Sequence, residues 1–145
     1  MFGLAKWIIL STALVAGGVE AGDRPARLAD LKVAGMQRVE PARYAEATAL
    51  AARGGTPVDI ALAVAGPFEG SIQHVIQVNE GAEAPTASRV TVLRDGLLDD
   101  SVRGERWDIA LERTAEGFWR IKEVGRAWRC RRGGQTGSFA ATRCP

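Results

Sequence analysis

The stretch WDIALERTAEGFWRI, residues 107–121, decides the fold because it predicts a β-hairpin and indicates which face of that hairpin is buried. Polar or small residues separate the large apolar ones on both sides of a Thr-Ala-Glu-Gly turn, and the alternating large apolar residues are Trp107, Ile109, Leu111, Trp119 and Ile121. Alternate residues of a strand point to the same face of a sheet, and facing residues of two strands share that face. The hairpin therefore predicts a sheet with one apolar face that requires a cover.

Two registers of this hairpin place apolar residues opposite apolar ones. In the first, Leu111 lies opposite Trp119, and Gly117 takes a left-handed bulge conformation after a three-residue loop. In the second, which is shifted by two residues, Glu112 lies opposite Arg120. Both registers direct the tryptophans and isoleucines of the hairpin toward the core.

Strand and helix signals surround the hairpin. Strands are predicted at 71–79, 89–94, 98–113 and 118–129, and helices at 41–53 and 57–65. Thr56, Pro57 and Asp59 are residue types that begin a helix, and Gly66 follows its last apolar residue. The apolar stripe predicted for this second helix is Val58, Ala61, Leu62 and Ala65. Residues 22–40 are predicted to be loosely structured.

Sequential strands joined by short loops favour an antiparallel meander, and the preceding helices can cover its apolar face. We therefore predict an α+β domain in which N-terminal helices pack on a curved four-stranded antiparallel meander. This order of elements resembles the cystatin-like and NTF2-like architectures.

Residues 1–21 have the three-part pattern of a secretory signal peptide. Lys6 precedes an apolar run from Ile8 to Val19, and small residues occupy positions 19 and 21. A bilayer takes about 20 apolar residues to cross, so this shorter run favours cleavage over an uncleaved anchor. We predict that residues 22–145 form a single periplasmic or extracellular domain with no membrane span.

Two cysteines, Cys130 and Cys144, are the only ones in the chain. In an exported protein such a pair predicts one disulfide, because the compartment is oxidising. The loop between them contains three glycines and few apolar residues, so a covalent link is a reasonable way to hold it. With no CxxC motif and a single histidine, the sequence offers neither a redox motif nor four zinc ligands.

Charge is distributed unevenly along this small domain. Residues 119–145 carry a net charge of +6, whereas residues 22–118 carry −4. Arginines interleaved with aromatic residues favour an anionic ligand by charge and stacking, and the candidates are Arg126, Arg129, Arg131, Arg132 and Arg143. Outside the cytoplasm that ligand is an anionic envelope polymer or extracellular DNA, not intracellular nucleic acid. Alternatively, the arginines pair with the domain's own carboxylates, such as Asp99, Asp100 and Glu105.

The C-terminal third contains DDSV at 99–102, WRI at 119–121 and RAWRC at 126–130, followed by Gly133-Gly134 and Cys144. In these motifs it resembles a family of small secreted bacterial proteins of unknown function. Members of that family carry a G-R-G-H loop and a tryptophan before the last cysteine, whereas this chain has GGQT and Phe139. The resemblance implies that the disulfide-closed loop belongs to the domain, and it implies no activity.

Candidate catalytic residues are few. His74, the only histidine, alternates with isoleucines on a predicted strand and could face the core, but no nucleophile motif accompanies it. Asp99 and Asp100 are adjacent on a strand, so they point to opposite faces and cannot converge on one glycosidic bond. Together with Asp95 they could bind Ca²⁺, although the spacing is not that of an EF-hand. Ser101 has no visible base beside it.

These observations favour a non-catalytic binding or interaction module for an envelope component or a protein partner, with no cofactor and no metal. The disulfide-closed basic loop is the predicted contact surface. The alternative is a small hydrolase or ligand-pocket enzyme that uses His74 and one carboxylate. A third possibility is a structural subunit that docks on another chain through an exposed face.

Overall fold

A five-stranded antiparallel sheet dominates the computed structural model, which describes residues 27–145. The strands are β1 (Lys32–Val33), β2 (Gln37–Val39), β3 (Ile72–Glu80), β4 (Ala87–Asp95), β5 (Val102–Arg113), β6 (Trp119–Cys130) and β7 (Ser138–Phe139), and the α-helices are α1 (Ala45–Ala52) and α2 (Pro57–Ala65). The large sheet has the order β2-β6-β5-β4-β3, and β1 pairs in parallel with β7. The predicted signal peptide at 1–21 lies outside the described residues.

The prediction of a four-stranded meander covered by N-terminal helices is wrong. The sheet has five strands, and the described chain is mostly sheet with only two α-helices. The additional strand, β2, comes from the segment predicted to be loosely structured and pairs with β6, where Val39 lies opposite Val124. Without β2, the outer backbone groups of β6 would be unpaired. This pairing joins distant parts of the chain, so the local sequence of the three-residue strand does not predict it.

The β5–β6 hairpin adopts the second of the two predicted registers. Glu112 lies opposite Arg120, so the register with Leu111 opposite Trp119 is wrong. Gly117 has a φ of 86°, in the left-handed region that the turn requires. The register shifts by one residue between Ala110 and Leu111, which shows that β6 contains a β-bulge.

The main core lies between the helices and one face of the sheet. Trp107, Ile109 and Val124 contribute from the central strands, and each is at most 4% exposed. The helices contribute small or branched side chains, which are Ala47, Ala51, Ile60, Ala61 and Val64. The predicted direction of the hairpin tryptophans and of Ile121 toward this core is confirmed.

Helix α2 has the predicted bounds and the predicted N-cap. The Thr56 side chain accepts a hydrogen bond from the backbone N–H of Asp59 at 3.2 Å. The predicted apolar stripe is displaced by one residue, because the buried positions are Pro57, Ile60, Ala61 and Val64. Nearly every residue of PVDIALAVA is apolar, so two neighbouring faces fit the same spacing. The predicted helix at 41–53 is divided into a 3-10 turn, Pro41–Arg43, followed by α1.

A buried arginine joins α2 to the sheet. Arg94, on β4, is 3% exposed, and its guanidinium donates hydrogen bonds to three carbonyl oxygens at the end of α2. The acceptors and distances are Ala65 O at 2.8 Å, Pro67 O at 3.0 Å and Gly66 O at 2.6 Å. Its Nε donates to Gln73 Oε1 at 2.9 Å. Burial lowers the pKa of Arg94, but a guanidinium remains charged, so a fixed cation faces the negative end of α2.

A second, smaller core lies on the opposite face of the sheet. It consists of Leu28, Leu93, Ala127 and Phe139. Phe139 reaches this position because β7 pairs with β1, and because Ala140 exchanges two backbone hydrogen bonds with Trp128. The predicted disulfide between Cys130 and Cys144 is present, with a Cα–Cα distance of 5.6 Å. It closes the segment that returns the chain from the end of β6 to this core.

Candidate binding groove

An apolar groove of about 480 Å³ lies between α1 and the turn end of the β5–β6 hairpin. Its lining includes Ala51, Ala52, Thr114, Phe118, Trp119 and Ile121. Ligand sites in proteins have volumes of about 300–1,000 Å³ and walls that are mostly apolar. Among the described residues, this groove is the cavity that best matches those properties.

Small side chains on α1 create the groove. Ala51 is buried and Ala52 is exposed, and neither can fill the space beside β6. On the hairpin side, Phe118 is 43% exposed and its ring lies beside Gly54, which follows α1. An exposed aromatic ring next to alanines leaves apolar surface in contact with water, so a bound apolar group would be favourable.

The indole of Trp119 forms a fixed part of the wall. It is 7% exposed, and the Arg113 guanidinium lies 4.6 Å from its ring centroid. Arg113 also donates a hydrogen bond to Gly117 O at 2.8 Å, which fixes the guanidinium against the turn. The wall is therefore ordered before any ligand arrives, which reduces the entropy lost on binding.

The rim of the groove carries charges of both signs. Glu116 and Arg120 line the opening. A hydrogen bond from its own backbone amide lowers the pKa of the exposed Glu116 carboxyl. Arg120 donates to Glu112, and this bond lowers the pKa of Glu112. Because neither sign dominates the rim, the chemistry of the groove is apolar and not anion-selective.

The five candidate arginines do not form one surface. Arg126 lies on the helix-facing side of the sheet, with its guanidinium 4.3 Å from the ring centroid of Trp107 and 4.9 Å from that of Trp128. It also donates a hydrogen bond to the carboxylate of Glu105. The guanidinium of Arg126 therefore interacts with groups of the domain itself.

Arg129 points to the opposite face of the sheet, where it donates to Asp95 Oδ1 at 3.1 Å and to Thr136 O at 2.7 Å. Arg131 donates to the backbone oxygens of Asp99 and Leu97, which joins the end of β6 to the loop before β5. Arg132 and Arg143 are exposed and form no hydrogen bond or ion pair with other described residues. Of the five candidates, these two alone have a guanidinium without a hydrogen-bond or ion-pair partner within residues 27–145.

His74 lies on the edge strand β3 and is exposed, so the hypothesis that it could face the core is wrong. It makes no side-chain hydrogen bond or ion pair with any described residue, and it does not line the groove. The hydrolase hypothesis requires His74 and a carboxylate inside one cavity, and the structure does not bring them together there.

The acidic residues near β5 have structural partners. Asp99 Oδ1 accepts hydrogen bonds from the backbone amides of Ser101 and Val102, and these bonds lower the pKa of Asp99. Asp95 is paired with Arg129 and, at 3.6 Å, with Arg103. Within 27–145, no three side chains of the types His, Cys, Asp and Glu are grouped as metal ligands.

Sequence reasoning missed the groove entirely. Its walls come from α1 and from a turn more than fifty residues further along the chain, and its defining feature is the small size of two alanines. The exposed Phe118 at the end of a hairpin turn is the one local signal that could have indicated it.

Comparisons with protein-family models, with curated proteins and with solved structures reveal no match for this chain. In the part of the chain that the structure describes, neither helix has the length and apolar character needed to cross a bilayer.

Proposed function

We propose that the protein is an exported, non-catalytic binding module that holds an apolar part of an envelope component or of a protein partner. The observation that carries this proposal is the groove of about 480 Å³ beside Ala52 and Phe118. The apolar leader at 1–21 and the disulfide support export, because disulfides persist in oxidising compartments. The resemblance to small secreted bacterial proteins points in the same direction.

The groove suits an alkyl chain or an apolar side chain. Each methylene group that leaves water contributes about 0.8 kcal/mol, so a chain of several carbons can bind without a strong polar anchor. The charges of both signs at the rim tolerate different head groups. An acyl chain with a fluorescent reporter is therefore a suitable probe of the site.

We expect Ala52→Leu to weaken binding of dansylundecanoic acid by at least about tenfold, because the added isobutyl group occupies the groove. Ala52 is exposed on α1 and leucine is a good helix former, so the fold should be retained. The measurement is a fluorescence titration of the exported protein. Ala49→Leu is the matched control, since it makes the same change at an exposed position of the same helix that does not line the groove.

Two results would contradict this function. One is the absence of saturable probe binding to the wild-type protein. The other is equal affinity of the wild-type protein and of Ala52→Leu, with both variants showing wild-type circular dichroism.

A second candidate function, binding of an anionic envelope polymer, is supported by Arg132 and Arg143, which are exposed and have no hydrogen-bond or ion-pair partner among the described residues. Both residues lie inside the disulfide-closed loop. Replacing both with glutamate should reduce retention on immobilised lipopolysaccharide several-fold and make the remaining binding less sensitive to salt. Arg89→Glu on the exposed side of β4 tests whether any charge reversal has the same effect. Unchanged retention of the double variant would remove this candidate. The hydrolase alternative has no comparable support, because His74 lies outside the groove.

A further inference from the structure

The strand β3 forms a free edge of the large sheet over nine residues. It pairs with β4 without any register shift from Ile72↔Asp95 to Glu80↔Ala87, and nothing in the described chain pairs with its outer side. Four of its apolar side chains are exposed, which are Ile72 at 43%, Val75 at 36%, Ile76 at 41% and Val78 at 62%. A long, regular and apolar edge is the arrangement to which another strand adds.

The two edges of the sheet differ in how they are protected. At the other edge, β2 has only three residues, its Arg38 is ion-paired with Glu123 at 2.9 Å, and Pro41 follows closely. A short length, a charge and a nearby proline are the usual devices that prevent strand addition. Between positions 72 and 79, β3 contains no proline, no lysine, no arginine and no acidic residue. Within residues 27–145 the sheet is therefore blocked at β2 and open at β3.

We infer that β3 pairs in antiparallel orientation with β3 of a second copy of this chain, so that two five-stranded sheets join into one. The sequence of β3, IQHVIQVNE, is complementary to itself. With the two-fold axis at Ile76, isoleucine meets isoleucine and His74 meets Val78 on one face. On the other face, Val75 meets Gln77.

The charge pattern of β3 permits a second copy as the occupant of this edge. In that arrangement the only charged residue of β3, Glu80, lies opposite Ile72, so no like charges face each other. In a symmetric pair the same strand of both copies forms the interface, so no β3 edge is left for a third copy. The blocked edge at β2 prevents the joined sheet from adding more strands. The inference is independent of the groove, because no residue of β3 except Glu80 borders any described cavity and Glu80 does not line the groove.

The test is the molar mass in solution of the protein expressed from its full sequence and exported, measured by light scattering across a wide range of concentration. We expect a dimer for the wild type. Ile76→Lys places two like charges opposite each other at the axis, so its dimer dissociation constant should rise at least about a hundredfold. Leu98→Lys is the matched control, because it adds the same charge at an apolar residue that is 84% exposed and lies outside β3.

A second measurement does not depend on any variant. Backbone amides of β3 in the wild type should exchange with deuterium more slowly at high protein concentration than at low concentration, while the amides of β2 should not change. A monomeric wild type, a dimer that survives Ile76→Lys, or β3 exchange that is independent of concentration would each overturn the inference. Loss of the dimer in both lysine variants would also overturn it.

Discussion

Arg94→Met is expected to lower the free energy of unfolding by about 3 kcal/mol, because it removes charged hydrogen bonds and leaves helix carbonyls without partners. Arg94 donates to the oxygens of Ala65, Gly66 and Pro67, which have no other described donor. Methionine fills a similar volume without burying a charge. The measurement is urea unfolding followed by tryptophan fluorescence.

The control for this prediction is Arg89→Met, which makes the same change on the same strand at an exposed position. It should alter stability by less than about 0.5 kcal/mol. Arg94→Lys should fall between the two, since an ammonium keeps the charge but cannot reach three carbonyls and Gln73 in the planar geometry of a guanidinium. A stability loss no larger for Arg94→Met than for Arg89→Met would show that the interaction with α2 is not important.

Replacing both Cys130 and Cys144 with alanine is expected to cost about 3 kcal/mol of stability, according to the chain-entropy treatment of a loop of this length. The two positions are 14 apart in the sequence. The loss should be largest around β7 and β1, because the disulfide holds the return segment that places Phe139 in the second core. Chemical unfolding gives the total loss, and hydrogen exchange of the Ala34 and Ala140 amides reports the local one.

Reductant provides the matched comparison for the disulfide. It should destabilise the wild type by a similar amount and leave the double alanine variant unchanged, because that variant has no thiols. A double variant as stable as the wild type would mean that pairing of β7 with β1, and not the covalent link, holds the C-terminal segment.

Local periodicity predicted the long strands and α2 but could not decide the register of the central hairpin. Side-chain alternation determines only whether the sum of the two facing residue numbers is even or odd, so registers two residues apart look equally good. The spacing of the large apolar residues in β6 does indicate the bulge. Trp119 and Ile121 face the core, and so does Val124, which lies an odd number of residues from both. A bulge is what allows this change of alternation.

Contacts between distant parts of the chain account for the remaining errors. β2 and β1 are short and polar, and they are strands only because β6 and β7 offer unpaired backbone groups. The alternation of His74 with isoleucines allowed a core position, but alternation cannot distinguish an edge strand from a central one. The sequence left two interpretations of the arginine-rich end open, a ligand-binding surface or pairing within the domain. Three of the five candidates are bound inside the domain, to Glu105, to Asp95 and to backbone oxygens.

The pairing of β2 with β6 sets the order in which the chain can assemble. Gln37 pairs with Arg126, so β2 and the strand that it needs are far apart in the sequence. Neighbouring hairpins from β3 to β6 require only short loops to close, and short-range contacts form faster than long-range ones. We therefore expect strands β3 to β6 to assemble first and β2 to join them last, although β2 precedes all of them in the sequence.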